Sequence, residues 1–76
     1  MEGNKKFPVV LARFDLTPEI FARKVFDYRR SNGYTLKDFG DVLGGIGAQT
    51  VMRWERMLCF PKSRPIIKRL FDLNVI

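Results

Sequence analysis

Four of the chain's 6 glycines fall between positions 40 and 47. The run Gly44-Gly45-Ile46-Gly47 breaks any regular helix or strand and reads as a tight turn. Gly40 precedes it inside a helical pattern, where it costs roughly 1 kcal/mol relative to alanine. A glycine placed there signals close approach of another stretch of backbone. The fold must therefore accommodate two helical segments held tightly together across a short glycine turn.

The rest of the sequence supplies the helices. Thr17-Pro18-Glu19 is a helix start: threonine caps free amides, proline suits the first helical position, and glutamate faces the positive end of the dipole. Phe21, Val25 and Tyr28 form a buried stripe, and Ser31-Asn32-Gly33 stops the helix. Thr35 caps a second helix, with Asp38 as its capping-box partner. Phe39, Val42 and Leu43 are that helix's apolar face. A third helix is predicted from Ala48 to about Met57, with Val51, Trp54 and Leu58 inward. Phe60-Pro61 then breaks the chain. Ser63 or Arg64 caps a fourth helix with Pro65 in its first turn. Ile66, Ile67, Leu70, Phe71 and Leu73 are its apolar set, and Asn74 its stop. The result is an all-α, compact four-helix domain over residues 17–76. Its second and third helices have the layout of a helix-turn-helix. Residues 1–16 lack a helical period; the β-branched run after Pro8 reads as an extended arm or short strand.

Composition narrows the function. With 46% apolar residues the chain can bury one core, but a domain of 76 residues hides only roughly 60% of its unfolded surface, so an oligomer would help it. No histidine and a single cysteine leave no disulfide framework, no ordinary zinc finger and no histidine-based catalysis. The carboxylates are scattered, so an enzyme is not expected; nor is a metal or any other cofactor. The opening Met1-Glu2-Gly3-Asn4-Lys5-Lys6 leads into too weak an apolar run for a signal peptide. No stretch is long and apolar enough to span a membrane, and the expected location is cytoplasmic. Fourteen Lys/Arg against eight Asp/Glu give +6 and a pI near 10.0. Residues 1–30 carry +3, residues 31–52 carry −1 and residues 53–76 carry +4. Such a balance is an electrostatic footprint for nucleic acid.

Residues 20–75 resemble the lambda-repressor/Cro-type helix-turn-helix, often termed the Xre family. The likeness rests on Arg29, Gly33, Thr35, Phe39-Gly40, Leu43-Gly44, Thr50-Val51, Arg53-Trp54-Glu55-Arg56 and Pro61, in order and at near-family spacing. It covers about three-quarters of the chain. Three departures stand out. The glycine turn is one residue longer than the family's. The loop Met57-Leu58-Cys59-Phe60 is apolar where the family is rich in glycine and lysine. The family's fifth helix, often its dimer contact, has no counterpart, and the arm is expected to replace it. A second resemblance competes. Trp54-Glu55-Arg56 with Phe60-Pro61-Lys62 is also similar to MerR-like or excisionase winged helix-turn-helix domains. Those follow the motif with a β-wing, whereas residues 65–71 here read as helix.

The resemblance implies a sequence-specific regulator of transcription, a small homodimeric repressor or activator of phage or mobile-element type on a palindromic double-stranded DNA operator. Residues 48–57 would be the recognition helix. Gln49 can pair bidentately with adenine and Arg53 with guanine; four residues apart, they share a face. Ala48 and Met52 are candidates for thymine methyls. Thr35, Lys37, Arg56, Lys62 and Arg64 are candidate phosphate contacts. Arg29 and Glu55 are expected to form a partly buried ion pair tying the first helix to the third. The arm residues Val9, Val10, Leu11 and Phe14 are candidates for the dimer interface, with a strand pairing across the two-fold as the favoured version. The rival from another class is a protein-docking module, because Val9, Val10, Leu11, Phe14, Phe26, Met57, Leu58 and Phe60 exceed what one small core needs.

Overall fold

A computed structural model of the chain describes residues 7–76. The first six positions of the arm, including the charged N-terminal run, lie outside the described residues. The fold is all-α, with five helices in the order α1 Val9–Ala12, α2 Pro18–Ser31, α3 Leu36–Val42, α4 Ala48–Glu55 and α5 Arg64–Asp72. No strand occurs among the described residues, so the β-wing of the winged alternative has no counterpart.

Local chemistry sets four of the helix ends, whereas α1, α4 and α5 start with no side-chain cap, Ser63 included. Thr17 Oγ1 accepts the Ile20 N–H at 3.2 Å to start α2. The Asn32 side chain donates to the Tyr28 carbonyl at 2.8 Å, and Gly33 takes φ +68° to close it. At α3, Thr35 and Asp38 exchange both bonds of a capping box, at 3.0 and 3.1 Å. Asn74 stops α5 at φ +64°, and the Val75 N–H reaches back to the Leu70 carbonyl at 2.9 Å.

The arm departs from the sequence reading. Instead of an extended segment or strand, residues 9–12 form a helical turn whose Leu11 and Ala12 amides bond the Pro8 carbonyl. β-Branched Val9 and Val10 favour a strand locally. That preference is overridden because the turn carries Leu11, and Phe7 just ahead of it, into the core. Both are buried, together with Leu16. Leu11 is fully buried in the protein's own core and has no surface to offer a dimer, contrary to its expected role.

One core unites the molecule. Phe7, Leu11 and Leu16 join Phe21 and Val25 of α2, Phe39 and Leu43 of α3 and its C-cap, Val51 and Trp54 of α4, and Phe60, Ile67, Leu70 and Val75. Aromatic rings meet edge to face at its centre. Phe21 lies 6.1 Å from Trp54 and 5.7 Å from Phe60, and Phe60 lies 5.0 Å from Phe7. These separations suit the ring quadrupoles. Two apolar expectations fail. Helix α4 ends at Glu55, two residues early, because Met57 adopts φ +62° and turns the chain away. Leu58, expected inward, is consequently 57% exposed. Phe71, assigned to the buried side of the last helix, is 52% exposed.

Candidate nucleic-acid interface

The glycine joint positions α4. A Cβ on Gly40 would run into the Ile46 carbonyl oxygen and lie 2.9 Å from its carbonyl carbon. Only glycine lets α3 and the turn come this close. The Gly40 carbonyl in turn accepts the Gly45 N–H at 3.0 Å and the Ile46 N–H at 2.9 Å. Gly44 and Gly45 sit at φ +100° and +102°, in a region that side chains strongly disfavour. The turn is thus closed by two bonds to a single carbonyl. From it, α4 packs on α3 and α2 through the buried Val51 and Trp54.

That packing leaves the other side of α4 outward. Gln49 and Arg53 are exposed there, while Ala48 and Met52 are half-buried. The helix carries one carboxylate, Glu55, and Arg29 takes it. Arg29 Nε donates to Glu55 Oε2 at 2.7 Å and its Nη2 to Oε1 at 3.1 Å. The third prong, Nη1, donates to the Tyr34 carbonyl at 3.1 Å. The two side chains are only 15% and 12% exposed. The hydrogen bonds to Glu55 raise the Arg29 guanidinium further above its ordinary range, against the opposing effect of burial. The expected pair between the first and third sequence helices is therefore present as a bidentate fork joining α2 to α4. Phe26 rests against it, with the Arg29 and Arg30 guanidinium carbons 5.5 and 5.4 Å from its ring centre. With Glu55 neutralised, the outward face of α4 presents amide, thioether and positive charge.

The candidate phosphate contacts are not brought together as one group. Arg56 sits at the α4 C-cap and lines a shallow groove with Glu19, Arg23 and Phe26 of α2. Lys62 is exposed in the segment before α5. Arg64 opens α5 and lines a different groove, against Arg13 and Phe14. Lys37 is held 3.0 Å from Asp41, one turn on. The Thr35 amide, offered as a phosphate donor, instead bonds Asp38. That amide, followed by the Thr35 hydroxyl, holds the Asp38 carboxyl below the ordinary carboxylate range. A negative charge already occupies the start of α3, which weakens the case for phosphate there.

Among the described residues, no group of three or more His, Cys, Asp or Glu could hold a metal ion, and no helix is long and apolar enough to cross a membrane. Arg13, which lines the groove with Arg64, is not among the residues the sequence singles out, because an extended arm hides the helical spacing of Val10, Arg13 and Phe14. Comparison of the chain with protein-family models, curated proteins and solved structures found no match.

Proposed function

We propose that the chain is a sequence-specific double-stranded DNA-binding protein that regulates transcription, with α4 as the helix that enters the major groove. One observation carries the reading. The outward face of α4 offers Gln49 and Arg53 beside half-buried Ala48 and Met52, and the helix's sole carboxylate is tied back by Arg29. A helix presented to DNA needs long polar groups on a face free of negative charge. In this reading Gln49 and Arg53 address base edges, Ala48 and Met52 address thymine methyls, and exposed Arg56 and Lys62 address phosphates.

Selection from random duplex DNA tests it, followed by footprinting, whose length reports how many copies sit on a site. Arg53→Ala should weaken the selected site by roughly 1–3 kcal/mol and relax preference at one position, whereas Lys62→Ala should weaken all sequences alike. Failure to enrich any motif would remove the reading. Equal losses on selected and random DNA for Arg53→Ala would make Arg53 a phosphate contact.

A further inference from the structure

We infer that the groove between α1 and α5 is a docking site for an acidic, amphipathic segment of another protein, one that presents apolar side chains flanked by carboxylates. The groove has a volume of about 320 Å³. Its apolar part is Val10, Phe14, Ile67 and Phe71. The Phe14 and Phe71 rings lie 5.5 Å apart at 40°, forming a preassembled surface that is still open to water. Val10 and Phe14 are each 38% exposed. Contiguous aromatic and aliphatic side chains left open around one groove are what a docking segment would cover.

The rim decides the occupant. Arg13, Arg64 and Lys68 also line the groove. Lys68 is partnered by Asp72 at 2.9 Å; Arg13 and Arg64 make no ion pair among the described residues. An apolar floor inside a cationic rim matches a ligand of opposite pattern, whose carboxylates meet the arginines while its apolar groups cover the rings. A second copy of the chain does not match. A two-fold contact through this face would bring two cationic rims together, with no carboxylate among the groove's lining residues to offset them. DNA would satisfy the rim and leave the rings wet. The inference does not depend on the DNA reading, since none of the proposed base-reading residues lines the groove.

Random peptides displayed on phage and selected against the full chain, with Phe71→Ser as the counter-selecting variant, test the proposal. The expected sequences place large apolar residues at helical spacing among Asp and Glu. A synthetic peptide of that consensus should shift the amide resonances of Val10, Arg13, Phe14, Lys68 and Phe71. Arg13→Glu should weaken it roughly tenfold, and Phe71→Ser by roughly thirtyfold or more. Arg64 is left unchanged, because it is also a phosphate candidate. Both substituted side chains are exposed, and amide spectra of the free variants check that the fold persists. The proposal is overturned if nothing enriches, if the same peptide with Lys for each acid binds as well, if the shifts centre on α4, or if sedimentation shows self-association that Phe71→Ser abolishes.

Discussion

The carbonyl oxygen of Ile46 occupies the space in which a side chain on Gly40 would begin, while the Ile46 amide donates back to the Gly40 carbonyl at 2.9 Å. The two residues clasp α3 to the turn through backbone alone. Gly40→Ala would gain roughly 1 kcal/mol of helix propensity. It would also force backbone apart in a packed joint, which costs about 3 kcal/mol, the upper end for overpacking, because the atoms met are backbone. The expected net loss is about 2 kcal/mol, read as a lower urea midpoint at unchanged slope. An unchanged midpoint would mean that the joint opens without cost.

The Arg29–Glu55 fork makes a second, graded prediction. Glu55→Ala leaves a mostly buried guanidinium without its carboxylate and should cost about 3 kcal/mol. Arg29→Lys keeps the charge but gives up the planar fork and the bond to the Tyr34 carbonyl; a loss of about 1–2 kcal/mol is expected. Lys62→Ala, at an exposed position, should stay within about 0.5 kcal/mol of the parent. Thermal melting ranks the three. Equal melting temperatures for Glu55→Ala and Lys62→Ala would show that the fork contributes nothing.

What the sequence disclosed, and what it did not, follows from how local the cause is. Thr17, Asn32, Thr35 with Asp38, and Asn74 act on amides and carbonyls within a few residues, so the helix ends they set were legible. The outward face of α4 was legible for the same reason: Gln49 and Arg53 are four apart, opposite Val51 and Trp54. The exposure of Leu58 was not, because it follows from Met57 taking a left-handed conformation that methionine seldom adopts. Lys37 could have been read better, since Asp41 stands one turn away at pairing distance. The destination of Arg64 was hidden, because Arg13 and Phe14 come to it from the far end of the chain.

The arm shows tertiary burial winning over local preference, and this is measurable. Leu11 is fully buried, whereas Val9 two residues earlier is 68% exposed. Leu11→Ala should therefore cost about 2–5 kcal/mol through lost contact and a cavity, while Val9→Ala should be near neutral. A strand-like arm would not separate them this way: positions 9 and 11 would share a face and lose together. Denaturant titration of the two variants decides between these outcomes.

The last prediction separates folding from DNA binding at one residue. Gly47 is the N-cap of α4, at φ −67° and ψ 152°, with no side-chain cap. An added Cβ there meets nothing within 4 Å, and the conformation is open to any residue. No acidic residue lies in the first turn of α4. Gly47→Ser and Gly47→Asp should both supply the missing cap and stabilise the fold by a few tenths of a kcal/mol. Aspartate should add about 0.3–1 kcal/mol through the helix dipole. Their effects on DNA should diverge. Serine adds no charge, so affinity should hold. Aspartate places a carboxylate at the start of α4, the end proposed to enter the negatively charged groove of the duplex, and affinity should fall about tenfold at low salt, less at high salt. Fluorescence anisotropy on the selected site, read beside urea midpoints, makes the comparison. A Gly47→Asp protein that is more stable and binds DNA as tightly as Gly47→Ser would place the start of α4 away from the duplex.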